Sequence, residues 1–222
     1  MNKNLTEIAY ILDRSGSMCG MEEAAITGFN EFLQSQLDAP GDVNLSLLLF
    51  DNEFKLVHDR VPLQEVRQLD ANTYVPRGST ALLDAIGRAI DALGRKIAKQ
   101  PDDQHPGKVI IAIYTDGYEN ASEQYDLRKI NKMITHQRGK YSWEFMFLAA
   151  NEDAIATASQ MGIARNMASV SEMSARGIRS GSRTFSRKAR SIRKMASTGI
   201  KDEDFHKTTE EIRKEEERRD DA

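Results

Sequence analysis

Four short runs of almost uninterrupted apolar residues punctuate the chain, at positions 8–12, 45–50, 109–114 and 145–150. Runs of that length without polar alternation predict strands buried on both faces, as in a mostly parallel sheet covered by helices. Between them the apolar positions recur at three- and four-residue steps. Met21, Ala24, Ala25, Gly28, Phe29, Phe32, Leu33 and Leu37 form one stripe, and Leu82, Ala85, Ile86, Ala89, Ile90, Leu93 and Ile97 a second. Both are wide enough to face a sheet. A narrower stripe through Leu127, Ile130, Met133 and Ile134 ends near Gly139. Strand and helix therefore alternate, which predicts an α/β layered fold. One junction departs from the alternation: only Asp51, Asn52 and Glu53 separate the second apolar run from residues 54–58. Three residues cannot hold a crossover helix, so a hairpin is expected there, with its second strand an antiparallel edge strand.

Charge changes this picture only toward the C-terminal end. The chain as a whole is nearly balanced, with a formal net charge of −3. Residues 176–200, however, carry eight Lys and Arg and no acid, and residues 201–222 carry six basic against ten acidic side chains. Arg176, Arg179, Arg183, Arg187, Arg190 and Lys194 recur at helical steps, while Ile178, Phe185 and Ile192 recur every seven residues, so a basic amphipathic helix is expected. The expected division is a globular domain over 1–175, a basic helical segment over 176–200 and an acidic tail over 201–222, disordered or a frayed helix. The eight cations could neutralise the phosphates of a nucleic acid or another polyanion. A solvated helix, or pairing with the acidic 201–222 segment, would explain them equally. Phe185 is the only aromatic residue among them, which gives base stacking little support.

The single cysteine, Cys19, excludes an intrachain disulfide, and His58, His105, His136 and His206 lie too far apart to form a zinc motif. No segment approaches the apolar length needed to cross a bilayer. A cytoplasmic location away from membranes is the expectation.

The strongest chemical signal follows the first predicted strand, in Asp13-Arg-Ser15-Gly16-Ser17-Met. A carboxylate and two hydroxyls spaced by two residues could present three oxygens to one small volume at the carboxyl end of a strand, where open α/β sheets bind ligands. Oxygen donors suit a hard cation such as Mg²⁺, Mn²⁺ or Ca²⁺. The same residues could instead form turns and cap the next helix. Two more residues fall at comparable strand-top positions: Asp116, in Tyr-Thr-Asp-Gly after the third apolar run, and Thr80, ahead of the second helical stripe. For these too, a turn and an N-cap are the alternatives.

Together these residues resemble the metal-ion-dependent adhesion site (MIDAS) of von Willebrand factor A domains, in which Asp-x-Ser-x-Ser follows the first strand and is joined by a distant Thr and a later Asp before Gly. The matching positions are Asp13, Ser15 and Ser17, then Thr80 in Gly-Ser-Thr-Ala-Leu, then Asp116 in Thr-Asp-Gly. The likeness covers roughly residues 5–170, and the wording Leu-Asp-Arg-Ser-Gly-Ser-Met is similar to small intracellular members of microbial origin. The resemblance implies a doubly wound, mostly parallel six-stranded sheet with one antiparallel edge strand, a Rossmann-like arrangement, followed by the charged helical tail. It implies a divalent ion, Mg²⁺ or else Mn²⁺ or Ca²⁺, at those five residues; Gly16, Glu119 and Asn120 are expected at the rim of the site or just behind its ligands. An open position on the ion would take an Asp or Glu side chain from a protein partner, so the expected activity is metal-bridged protein binding and no catalysis. A magnesium-dependent hydrolase of the phosphatase type would need a second acid where Ser15 stands, and an acyl-transfer serine would need Gly-x-Ser-x-Gly, which is absent.

Overall fold

A computed structural model describes residues 1–150 and 153–220. Strands β1 (Asn2–Asp13), β2 (Asp42–Phe50), β3 (Phe54–Pro62), β4 (Pro106–Thr115), β5 (Glu144–Ala149) and β6 (Ala168–Val170) form one sheet in the order β3-β2-β1-β4-β5-β6. Every pairing is parallel except that of β2 with β3, whose register sets Phe50 opposite Phe54 across the three-residue turn. The expected hairpin and antiparallel edge strand are therefore present.

The crossover helices are α1 (Glu22–Leu37), α2 (Leu82–Ala98), α3 (Leu127–Tyr141) and α4 (Ala154–Gln160), and α5 (Ala175–Thr198) follows β6. On one face of β1 the Tyr10 ring meets Phe29 and Phe32 of α1 at 5.4 and 4.9 Å and Phe185 of α5 at 6.1 Å, all edge-on. On the opposite face Ala9 lies with Ala89 and Leu93 of α2. The strands are covered on both sides, which is why Ile8, Ile11, Leu45, Leu47, Ile110 and Ile113 are all buried and read as unbroken apolar runs. Each such side chain contributes roughly 2 kcal/mol through its removal from water.

The charged C-terminal stretch is helical, but its first helix is part of the globular body and the body does not end at residue 175. Ile178, Phe185, Ala189 and Ile192 of α5 are buried in the core. α5 lies so close to α1 that a methyl group at Gly28 would collide with Ser182 Oγ. Much of its buried face consists of small hydroxyl residues, and several bond back to carbonyls one turn earlier: Thr184 Oγ1 donates to the Ser180 carbonyl and Ser186 Oγ to that of Ser182. A hydroxyl satisfied in this way can be buried at little cost, so the helix packs without looking apolar.

Its cations are tied down within the molecule. Arg187 pairs with Asp204, Glu215 and Glu216, and Arg183 with Glu216. Lys188 Nζ donates to the carbonyls of Asp204, Phe205 and Lys207. The acids come from α6 (Glu203–His206) and α7 (Thr209–Asp220), and α7 also buries Ile212 and Glu216. Residues 201–220 are thus a packed cover on α5, held by charge and a buried apolar anchor, and not a disordered or frayed tail. Among the described residues no helix is long and apolar enough to cross a membrane.

Candidate metal centre

β1 and β4 are neighbours at the middle of the sheet, and the chain leaves them in opposite directions, toward β2 and toward β5. That reversal opens a crevice beyond their carboxyl ends. Asp13 is the last residue of β1, and Asp116 directly follows β4. After Asp13 the backbone makes one tight turn at Gly16–Met18 before α1, which projects Ser15 and Ser17 over the crevice. None of these side chains caps a helix: α1 and α2 begin after Met21 and Ala81, whose own side chains make no cap bond, and Ser15 makes none to its turn. The capping alternative therefore fails.

All five expected ligand residues meet. Ser15 Oγ and Ser17 Oγ stand 3.0 Å apart, and Ser17 Oγ donates to Asp116 Oδ1 at 2.9 Å. Asp13 accepts the Ser15 N–H on Oδ1 at 2.7 Å and the Thr115 hydroxyl on Oδ2 at 2.6 Å. A methyl group at Gly117 would lie 2.8 Å from Thr80 Oγ1 and 3.4 Å from Ser17 Oγ, so the glycine keeps open a space that any side chain would fill. Asp116 Oδ2 is buried with no hydrogen-bond partner. Asp13, Ser15 and Thr80 are buried, Asp116 is half-buried and Ser17 is exposed, so the cluster opens to solvent on the Ser17 side.

Electrostatics leave this cluster short of positive charge. Burial pushes the Asp13 carboxyl up to about 6 against its bonds to Thr115 and Ser15, and burial also raises Asp116 beside it. Two cations lie close by but are committed elsewhere. Arg14, inside the motif, brings Nε to 3.1 Å from Asp51 Oδ2, and Arg77 Nε reaches the same oxygen at 2.9 Å. The donors are carboxylates and hydroxyls alone, a set that fits a hard divalent cation. Among the described residues no group of three or more His, Cys, Asp and Glu could serve as a different metal site.

Asp51 was not anticipated, yet it locks the loops together. Fully buried at the end of β2, it holds Arg14 and Arg77, and its carbonyl accepts the Ala81 N–H at 2.9 Å. Further bonds run from Gly16 N–H to the Gly78 carbonyl and from Arg77 N–H to the Arg14 carbonyl. Gly78 adopts φ +67°, a left-handed conformation that suits glycine, and a side chain there would strike Asn52. Tyr74 is buried and donates its hydroxyl to the Asp13 carbonyl at 2.6 Å. The sequence clue to this clamp was an arginine inside the motif with an aspartate at the neighbouring strand end.

Two flanking residues need separate accounts. Asn120 braces Thr80, since its Oδ1 accepts the Thr80 N–H at 2.9 Å and its own N–H donates to the Thr80 carbonyl at 3.0 Å. Glu119 is not a rim group: its carboxylate accepts the N–H groups of Leu83, Ala121 and Ser122 and the Ser122 hydroxyl, so it caps the start of α2 and its own loop. Of the aromatic residues near the predicted elements, Trp143 joins Tyr74 in the interior and Tyr141 is exposed. Cys19 is exposed beside the turn.

Solved structures share this architecture. A von Willebrand factor type A protein from Catenulispora acidiphila superposes with a TM-score of 0.55 at 14% identity, covering 84% of this chain and 43% of that one. Proximal thread matrix protein 1 from the mussel byssus, with a zinc-occupied MIDAS motif, gives 0.58 at 12% identity, covering 83% and 48%. The manganese-loaded TRAP protein of Plasmodium vivax gives 0.51 at 12% identity, covering 78% and 70%. The chain thus spans less than half the length of the first two. No family model and no curated protein matches it. The fold is that of a von Willebrand factor A domain.

Proposed function

We propose that the chain is a divalent-cation-dependent protein-binding module, in which Asp13, Ser15, Ser17, Thr80 and Asp116 hold Mg²⁺. The same donors would accept Mn²⁺ or Ca²⁺. The observation that carries the reading is the convergence of five oxygen-bearing side chains from three separate loops around a buried Asp116 oxygen that no protein donor satisfies. That the mussel protein's MIDAS motif holds zinc and the TRAP protein holds manganese supports a divalent ion in this fold.

A bound divalent ion would supply a positive, oxygen-seeking position that a carboxylate completes. The chain's own residues shape how a partner reaches it. Ser17 and Asp116 form the open side, Gly117 leaves room beside Thr80, and the Asp51 clamp keeps the three loops in register. The partner group is an Asp or Glu side chain. We read the site as one for binding, without a catalytic step, because the serine hydroxyls have only oxygen neighbours while the contacts of all four histidines lie elsewhere. An exposed free cysteine suits a reducing, cytoplasmic setting.

Affinity capture in Mg²⁺ tests the proposal. Partners should elute with EDTA and be absent from an Asp13→Ala column, and changing one Asp or Glu of a captured partner to Asn or Gln should abolish its retention. Retention that survives both EDTA and Asp13→Ala would refute it.

A further inference from the structure

The basic surface open to a partner is not on α5, whose charges are largely matched internally, but on α3. Residues 127–143 contain five Lys and Arg and no acid. The apolar side of α3 is used up inside, with Ile130 and Ile134 fully buried. The outward side is a stripe at four-residue steps: Arg128, Lys132, His136 and Lys140, all exposed. Such residues stack one above another on a helix, about 6 Å apart along its axis, and the stripe is about 18 Å long.

Three acids beside α3 are already engaged, and Glu123, in the loop before it, is exposed with no cation on it among the described residues. Asp126 caps the helix through the Lys129 N–H, Glu144 pairs with Lys108, and Asp91 accepts the Tyr125 hydroxyl. Arg128, Lys132 and Lys140 have no carboxylate partner within 4 Å among the described residues. At the end of the stripe Tyr141 is 53% exposed, with the His136 ring edge-on at 5.7 Å and Lys140 Nζ 5.1 Å from its centroid.

We propose that the exposed face of α3 binds single-stranded nucleic acid, with Arg128, Lys132 and Lys140 each on a phosphate of one strand and an unpaired base stacked on Tyr141. Charge complementarity calls for a polyanion, and the features around the charges select among polyanions. A membrane-surface helix needs an exposed apolar face, and here the apolar face is in the core. An acidic peptide would match the cations but makes no use of a solvent-exposed ring beside them. A regular row of cations ending in an aromatic platform is the pairing that single strands use. This surface is separate from the metal centre and independent of the reading given to it.

Fluorescence anisotropy with a labelled 12-nucleotide oligothymidine, in low salt with EDTA present, tests the proposal. The protein should bind, with log Kd rising against log salt at a slope of about 2–3, near 0.7 for each phosphate neutralised. The triple variant Arg128→Glu, Lys132→Glu, Lys140→Glu should weaken binding at least tenfold. A control with the same charge change elsewhere, Lys55→Glu, Arg67→Glu, Lys99→Glu, should weaken it less than threefold. Tyr141→Ala should weaken the single strand about fivefold and leave a duplex of the same length unaffected. Circular dichroism confirms that each variant is folded, and since every changed side chain is exposed, the single variant Lys132→Gln serves if the triple is not. No binding to the oligonucleotide, equal losses in the two triple variants, or preference for polyglutamate or anionic phosphatidylserine vesicles over the oligonucleotide would overturn the proposal.

Discussion

Two of the places where the molecule buries polar groups are built in opposite ways. Beneath α5, a 2%-exposed arginine, Arg193, donates through its two terminal nitrogens to the carbonyls of Gln36, Ala39, Pro40 and Gly41 and to Gln36 Oε1, leaving only Nε without an acceptor. Donor faces acceptor at every polar atom of the guanidinium but that one. At the top of β1 and β4 two carboxylates, Asp13 and Asp116, share a cluster of hydroxyls with no cation on either among the described residues: Ser17 donates to Asp116 Oδ1, and Asp116 Oδ2 has no donor. A buried cation ringed by carbonyl acceptors holds a structure together, whereas paired carboxylates with an unpartnered oxygen and no cation are suited to take one from outside. The first fastens the end of α1 to α5, and the second is the candidate metal centre.

This contrast can be broken by substitution. Arg193→Ala should have the largest effect on folding, about 3 kcal/mol from the loss of its hydrogen bonds and the stranding of its carbonyl partners. Urea denaturation should show the same loss in Mg²⁺ and in EDTA. Asp13→Ala should do the reverse. It should cost the EDTA-treated protein only about 1 kcal/mol, through the stranded Thr115 hydroxyl and Ser15 N–H, while removing the extra stability that metal supplies, about 2.7 kcal/mol at a hundredfold excess of metal over Kd. A metal-dependent loss in the first variant, or a metal-independent loss of similar size in the second, would erase the distinction between the two clusters. Smaller still is Gly117→Ala, whose methyl group would press on Thr80 Oγ1 and Ser17 Oγ. Metal affinity should drop about tenfold, or about 1.4 kcal/mol, with little change in the melting temperature of the metal-free protein.

The same contrast explains what could be read from the sequence. The buried strands, the first two helical stripes and the hairpin were legible because apolar periodicity reports burial directly. The site was legible at Asp13, Ser15, Ser17 and Asp116 because strand ends fix where a carboxylate or hydroxyl can point, and at Thr80, on the loop before α2 and at no strand end, through the likeness to the MIDAS pattern. What stayed hidden depended on partners distant in the chain. α5 looked like an appendage because Ser180, Ser182, Thr184 and Ser186 are buried as hydroxyls, and because the carboxylates that neutralise Arg187 lie 17 to 29 residues further on. β6 is three residues long, too short for any periodicity. Glu119 looked like a site residue because proximity in sequence to Asp116 does not reveal that its carboxylate serves backbone N–H groups of α2. Asp51 looked like a turn residue, and only the fold brings Arg14 and Arg77 to it.

Isothermal titration of Mn²⁺ into the metal-free protein and into the double variant Ser15→Ala, Ser17→Ala bears most directly on the claim that the oxygen cluster lacks a cation. One ion should bind per wild-type chain and none to the variant, with both proteins equally folded by circular dichroism. Equal heats in the two proteins, or no binding to the wild type, would contradict the account.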